Sequence, residues 1–114
     1  MKYTAGGQVL TYTSSKRWKT DIKDLDFDTS LIYKLRPVNF FPLEGYGEHK
    51  EIEIGLIAEE AEEVNKKFVT YGADGLTDGI SWFRLITVML AEMQKLNKRI
   101  EVIEGGNKKR NRNR

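Results

Sequence analysis

The chain has 114 residues, of which 39% are hydrophobic and 32% are charged, and it contains no cysteine. This length suits one domain with a modest core, and a domain of this size often completes its core by oligomerising. The lack of cysteine excludes disulfides and thiol chemistry. No apolar run approaches the roughly 20 residues that a membrane span needs. The composition therefore predicts a soluble single domain without a membrane segment.

The positive net charge comes from the end of the chain. Five basic side chains stand there, at Lys108, Lys109, Arg110, Arg112 and Arg114. Removing these five charges from the total of +2 leaves a body of −3. A mildly acidic body is not typical of a nucleic-acid surface. We therefore expect a disordered basic tail over residues 105–114 and do not expect nucleic acid as a partner.

The first predicted elements are short. Residues 8–13 follow two glycines and are mostly β-branched or aromatic, which predicts a strand. Residues 31–35 place apolar side chains at helical spacing, so we expect a short helix with Thr29 or Ser30 as its cap. Pro37 ends this helix, because the residue before a proline is pushed out of the helical region.

Two strands are predicted next, over residues 38–41 and 52–57, with a polar excursion over residues 43–50 between them. The second strand alternates apolar residues with glutamates, which is typical of a half-buried antiparallel strand. Its apolar positions are Ile52, Ile54 and Leu56.

A helix and a hairpin follow. The helix is predicted over residues 58–66, and its apolar face consists of Ile57, Ala61 and Val64. The hairpin is predicted around the turn Gly72-Ala73-Asp74-Gly75.

The final helix is predicted over residues 81–104, where Gly105 and Gly106 end it. Its apolar residues repeat at steps of three and four, and this heptad stripe consists of Ile86, Met89, Met93, Leu96, Ile100 and Ile103. Isoleucine at both a and d positions favours trimers and higher states over dimers. The alternative is an amphipathic helix that packs on its own domain. We expect the residues before the stripe to anchor the helix to the globular part; they are Trp82, Phe83 and Leu85.

Ser14 precedes Lys19 by five residues, directly after the predicted strand. A serine with a lysine amine as its base is a known variant of the nucleophile-and-base arrangement. The lysine acts only as the neutral amine, which requires a pKa below the ordinary value of about 10.4. Burial or neighbouring cations lower the pKa of a lysine, and Lys16 and Arg17 are such neighbours. The alternative is a solvated polar loop.

The sequence gives little support for a metal-binding site. The chain has one histidine, His49, and no cysteine, so a zinc site lacks its usual ligands. Asp24, Asp26 and Asp28 resemble the start of a calcium loop, but the glycine and the final carboxylate of such a loop are missing. We therefore expect no metal.

Four blocks of sequence follow one another in a distinctive order. They are residues 14–22, 35–40 and 54–64 and the turn Asp74-Gly75-Leu76, before the apolar final helix. In that order they resemble the C-terminal intramolecular chaperone domain of phage tail spikes, tail fibres and neck appendages, the S74 self-cleaving peptidase family. The resemblance covers about residues 14–104. It implies an α+β fold with small antiparallel β elements, short helices and a long C-terminal helix that forms a trimeric coiled coil.

The resemblance also implies a cleavage site. In this family the protein cuts its own peptide bond before the serine, so the scissile bond is Thr13–Ser14, with Ser14 as nucleophile and Lys19 as base. The usual pattern is Ser-Asp-x-x-Leu-Lys, whereas here Ser15 and Trp18 stand at the aspartate and leucine positions. Ser15 therefore competes with Ser14 as nucleophile.

Three segments and one function are expected on this resemblance. Residues 1–13 end an upstream β-rich spike or fibre segment, residues 14–104 form the chaperone domain, and residues 105–114 are the tail. The domain drives homotrimer formation and folding of the upstream segment of its own chain. It is then released by autoproteolysis in the host-cell cytoplasm during virion assembly and is absent from the mature virion. No cofactor is expected, although a nucleotide at a trimer interface stays open.

Two alternatives are retained. The first is a permanent trimerisation cap that never cuts. The second is the self-cleaving module of a membrane-bound transcription regulator, because a eukaryotic branch of the family uses this domain.

Overall fold

The computed structural model describes residues 14–43 and 51–112, with side chains as far as residue 106. The regular elements in chain order are β1 (Val38–Phe40), β2 (Glu53–Gly55), α1 (Ala58–Val64), β3 (Val69–Tyr71), β4 (Thr77–Ile80) and α2 (Trp82–Arg112). Three 3₁₀ turns accompany them, at Lys16–Trp18, Thr29–Lys34 and Lys66–Phe68. The predicted α+β class, with short antiparallel strands and a long C-terminal helix, is confirmed.

The strands form two separate antiparallel pairs. In the first pair Val38 lies opposite Gly55 and Phe40 lies opposite Glu53. In the second pair Val69 lies opposite Ile80, and a bulge shifts the register after Thr70. The predicted hairpin around residues 72–75 joins β3 to β4. Gly75 has a φ of 81°, which a residue without Cβ adopts at no steric cost.

A small core holds α1, the second hairpin and the start of α2 together. Its fully buried apolar residues are Ala61, Phe68, Val69, Leu85 and Val88. The ring of Phe27 meets that of Phe68 edge to face, with 5.8 Å between the ring centroids. Arg36 precedes β1 and contacts α1 through two hydrogen bonds to the Glu60 carboxylate, of 2.9 Å from Nε and 2.6 Å from Nη2.

Several predicted details are wrong. The predicted short helix is present as the 3₁₀ helix Thr29–Lys34, but its cap is neither Thr29 nor Ser30: the Asp28 carboxylate accepts hydrogen bonds from the backbone N–H and the hydroxyl of Ser30. The strand β2 is shorter than predicted, and its predicted apolar face does not bury the side chains of Ile52 and Ile54. Ile52 is exposed, and Ile54 is 81% exposed, because no element among the described residues buries this face of the first strand pair.

The long helix also departs from its predicted end. It continues through Gly105 and Gly106 to Arg112, so the predicted end of the helix at residue 104 is wrong. Two glycines in a helix interior cost helical stability, but their surroundings here are open and no turn replaces the helix. The predicted strand over residues 8–13, Thr13 and His49 lie outside the described residues.

Candidate functional site

A 3₁₀ turn brings Ser14 and Lys19 together. The turn spans Lys16–Trp18 and is closed by backbone hydrogen bonds from the N–H of Trp18 to the carbonyl of Ser15 and from the N–H of Lys19 to the carbonyl of Lys16, both 3.1 Å. The turn folds the chain back on itself, and the Lys19 Nζ donates a hydrogen bond of 2.8 Å to the Ser14 Oγ. The spacing of five residues therefore places an amine against a hydroxyl.

The two adjacent serines have different environments. The Ser15 hydroxyl caps the turn, because its Oγ accepts a hydrogen bond of 3.4 Å from the backbone N–H of Arg17. The Ser14 hydroxyl lies instead against the lysine amine. This geometry favours Ser14 over Ser15 as the hydroxyl that a base could activate.

The segment that carries this pair is open to solvent. Every residue from Ser14 to Asp26 is exposed, and we call residues 14–26 the N-terminal arm. The Arg17 guanidinium lies 5.1 Å from the centroid of the Trp18 ring, which covers one face of the indole. Asp21 has a φ of 53°, in the left-handed region that few residues other than glycine adopt. In the single chain the Lys19 amine and the Ser14 hydroxyl are therefore both exposed to solvent.

The heptad stripe is also uncovered. Its six residues are 37% to 62% exposed, so the stripe is not buried against the described part of its own domain. A different face of α2 makes that contact, through Leu85, Val88 and Glu92, which are all buried. Of the three predicted anchors, Leu85 is confirmed, whereas Trp82 and Phe83 are about half exposed.

Glu92 forms a buried polar cluster that the sequence did not reveal. Its carboxylate is 1% exposed and accepts hydrogen bonds of 2.7 Å from the Thr29 hydroxyl and 2.8 Å from the Tyr33 hydroxyl. The Lys95 Nζ donates a further hydrogen bond of 2.9 Å to the Thr29 Oγ1. These hydrogen bonds hold the pKa of Glu92 below its ordinary value, chiefly through Thr29 and then Tyr33. One signal was available: Glu92 follows Leu85 and Val88 at the helical steps of a core face.

Other ligand chemistry is not evident in the described part of the chain. Over residues 14–43 and 51–112, no group of three acidic, histidine or cysteine side chains is arranged to hold a metal ion. Within the same ranges, no helix is both long and apolar enough to cross a membrane.

Comparison with known proteins identifies the family. The family model of peptidase S74, chaperone of endosialidase, matches residues 14–70, which is half of the chain. The match begins at Ser14 and includes Lys19, both strands of the first pair and α1. No curated protein matches the chain. The chain therefore belongs to the peptidase S74 family, the chaperone of endosialidase.

Proposed function

We propose that this chain is an intramolecular chaperone that trimerises, assists the folding of an upstream segment of its own chain and then cuts itself free at Thr13–Ser14. The family supplies the chaperone role. The observation that carries the cleavage step is the 2.8 Å hydrogen bond from the Lys19 Nζ to the Ser14 Oγ. A serine hydroxyl is a weak nucleophile, and an adjacent base is what activates it.

The chemistry proceeds in two steps. The neutral Lys19 amine takes the proton of the Ser14 hydroxyl as Oγ attacks the Thr13 carbonyl carbon. The new C–O bond forms, the peptide C–N bond breaks, and the lysine returns the proton to the leaving nitrogen, which becomes the amine of Ser14. Water then hydrolyses the resulting ester and yields a Thr13 carboxylate and a free Ser14 hydroxyl.

The uncovered heptad stripe supports the trimer. Six apolar side chains on one line of an exposed helix favour association with copies of the same helix, and isoleucine at a and d favours three strands or more. Lys19 is exposed to solvent in the single chain. Assembly would remove it from water, and a lysine that is removed from water favours its neutral form. We propose that cleavage follows assembly for this reason.

Three variants test the assignment of the cleavage residues. Ser14→Ala removes the nucleophile and should abolish the cut, whereas Ser15→Ala should cut like the unmodified chain. Lys19→Ala should slow the cut by about 10² to 10⁴ fold, the usual contribution of a general base. Intact-mass spectrometry measures all three. A normal cut in Ser14→Ala together with none in Ser15→Ala would move the nucleophile to Ser15.

The non-cleaving trimerisation cap predicts a different result. It expects a stable trimer in which the Thr13–Ser14 bond stays intact in every variant and at every pH. The proposed base instead makes the cleavage rate rise with pH, since only the neutral amine accepts the hydroxyl proton.

A further inference from the structure

An apolar groove of about 370 Å³ lies beside the heptad stripe. Its walls come from the turn Thr29–Lys34 and the residues after it, from β2 and from the start of α2. They include Ile32, Leu35, Ile54, Leu56, Trp82 and Met89. Met89 belongs to both the groove and the stripe, so a second copy that covers the stripe also reaches the groove.

The stripe alone offers little area for a stable assembly. Residues 86–103 span about 26 Å of helix at 1.5 Å per residue, which is less than three heptads. A specific interface buries about 800 Å² on each partner. The groove adds apolar surface directly beside the stripe, where Ile54 is 81% exposed and Trp82 is half exposed. The two surfaces together form one continuous apolar region.

The N-terminal arm carries a second set of exposed apolar side chains. Trp18, Ile22 and Leu25 are all more than half exposed. They lie on the same short segment as Ser14 and Lys19. A surface that receives these side chains would therefore also determine the surroundings of the candidate cleavage site.

The arm and the groove lie on opposite flanks of the stripe. The arm joins the body at a cavity of about 420 Å³ that is lined by Leu25 and Phe27 together with Phe83 and Thr87 of α2. Successive helix residues turn by about 100°, which puts Phe83 and Thr87 on one side of the stripe and Leu85, in the groove wall, on the other. In a cyclic trimer each copy presents one flank to the opposite flank of the next. The arm of one copy then faces the groove of its neighbour.

We propose that the N-terminal arm of each copy docks into the apolar groove of the neighbouring copy, so that the Ser14–Lys19 pair is completed by a second copy of the chain. This inference rests on the proposed function and deepens it by naming the surface that activates the cut. Docking buries Trp18 and Ile22 and excludes water from the segment that holds Lys19. The cut is then confined to correctly assembled trimers.

A disulfide test reports docking without depending on cleavage. The chain has no cysteine, so Trp18→Cys combined with Ile54→Cys introduces the only thiols. Docking between copies predicts covalent dimers and trimers after oxidation on a non-reducing gel. The control pair is Trp18→Cys with Leu76→Cys, since Leu76 is exposed but lies in the β3–β4 turn and should give no such species. A disulfide confined to single chains, or none, would overturn docking between copies.

A mixing test reports which copy supplies the groove. Ile54→Asp places a charge on an already exposed groove residue, so it should slow the cut by about tenfold or more while the chain still folds. Leu76→Asp is the matched control and should cut normally. Co-expression of Ile54→Asp with Ser14→Ala should restore cutting of the Ile54→Asp chain, whose intact arm can enter the groove of the Ser14→Ala copy.

The outcomes separate this inference from the proposed function. Normal cutting by Ile54→Asp, or mixed trimers in which its cutting is not restored, would overturn docking between copies and leave self-cleavage standing. If the unmodified chain is never cut, the proposed cleavage fails, and the disulfide test still decides whether the arm docks.

Discussion

Glu92 lies with Leu85 and Val88 on the face of the long helix that packs on the domain. A buried carboxylate is stable only when hydrogen bonds replace the water it has lost, and Thr29 and Tyr33 provide them. Met93 follows Glu92 directly and is turned about 100° from it on the helix. Holding Glu92 inward therefore holds the heptad stripe outward, where it can meet other copies.

Glu92→Gln should lower the melting temperature by several degrees near neutral pH, because the amide cannot accept from both hydroxyls as the carboxylate does. The folded pKa of Glu92 lies below its ordinary value of 4.5. The stabilisation by this group is therefore complete above about pH 4.5 and is lost as pH falls through the folded pKa. Thermal melts of both chains from pH 7 to pH 2 measure this effect.

The difference between the two melting temperatures is the informative quantity. Asp28, Glu60 and Glu62 also have pKa values below the ordinary ones because of their hydrogen bonds, so both chains lose stability in acid. The difference should shrink below pH 4.5. A difference that stays constant down to pH 2 would show that the Glu92 charge does not stabilise the fold.

At the scale of the element, α2 has two apolar faces with different environments. One face packs on the domain, and the other carries the heptad stripe. Ile100→Asp should weaken the trimer, and the double variant Ile100→Asp, Ile103→Asp should give monomers, because like charges then oppose one another at a and d positions. Light scattering measures the oligomeric state.

Val102 provides the matched control for the stripe. It is exposed on the same turns of α2 but lies outside the stripe, so Val102→Asp should leave the oligomer unchanged. If the unmodified chain is a stable monomer, or if Val102→Asp is as disruptive as Ile100→Asp, the stripe is not the interface.

The same helix shows how far sequence reasoning extends. Steps of three and four predicted both the helix and its stripe, because helical periodicity depends only on neighbours along the chain. The cap at Asp28 and the cluster around Glu92 were missed. The Glu92 cluster joins residues about 60 positions apart, and no local pattern reports such contacts. Gly105 was misread as a stop because a glycine in open surroundings can remain helical.

The candidate site was also predicted only in part from the sequence. The spacing and the family resemblance together predicted the Ser14–Lys19 pair, and a local turn brings its two atoms together. The sequence alone left Ser15 in competition with Ser14, and only the structure shows that the two hydroxyls differ, because the Ser15 hydroxyl acts as a cap.

At the scale of the whole molecule, the basic C-terminal residues lie beyond the last stripe position. Deletion of residues 107–114 should leave the oligomeric state and the cleavage rate unchanged, because neither the stripe nor the Ser14–Lys19 pair includes them. Light scattering and intact-mass spectrometry of the shortened chain measure both properties. Loss of the trimer, or a large fall in cleavage, would assign these residues a role in assembly.

A single copy leaves much apolar surface in water. The stripe, the groove beside it and the arm are all uncovered, and exposed apolar patches of this kind mark interaction sites. Association of copies is the step that would cover these three surfaces at once. The Ser14–Lys19 pair lies on one of them, so the proposed cleavage site would be covered in the proposed assembly.

The most direct test of this account is the intact mass of the assembled protein. After assembly at mildly alkaline pH, mass spectrometry should find a trimer-forming species that begins at Ser14, together with the released segment that ends at Thr13. Ser14→Ala should assemble equally and keep the bond. A trimer of the unmodified chain in which Thr13–Ser14 remains intact would contradict self-cleavage and leave the permanent trimerisation cap as the function of this domain.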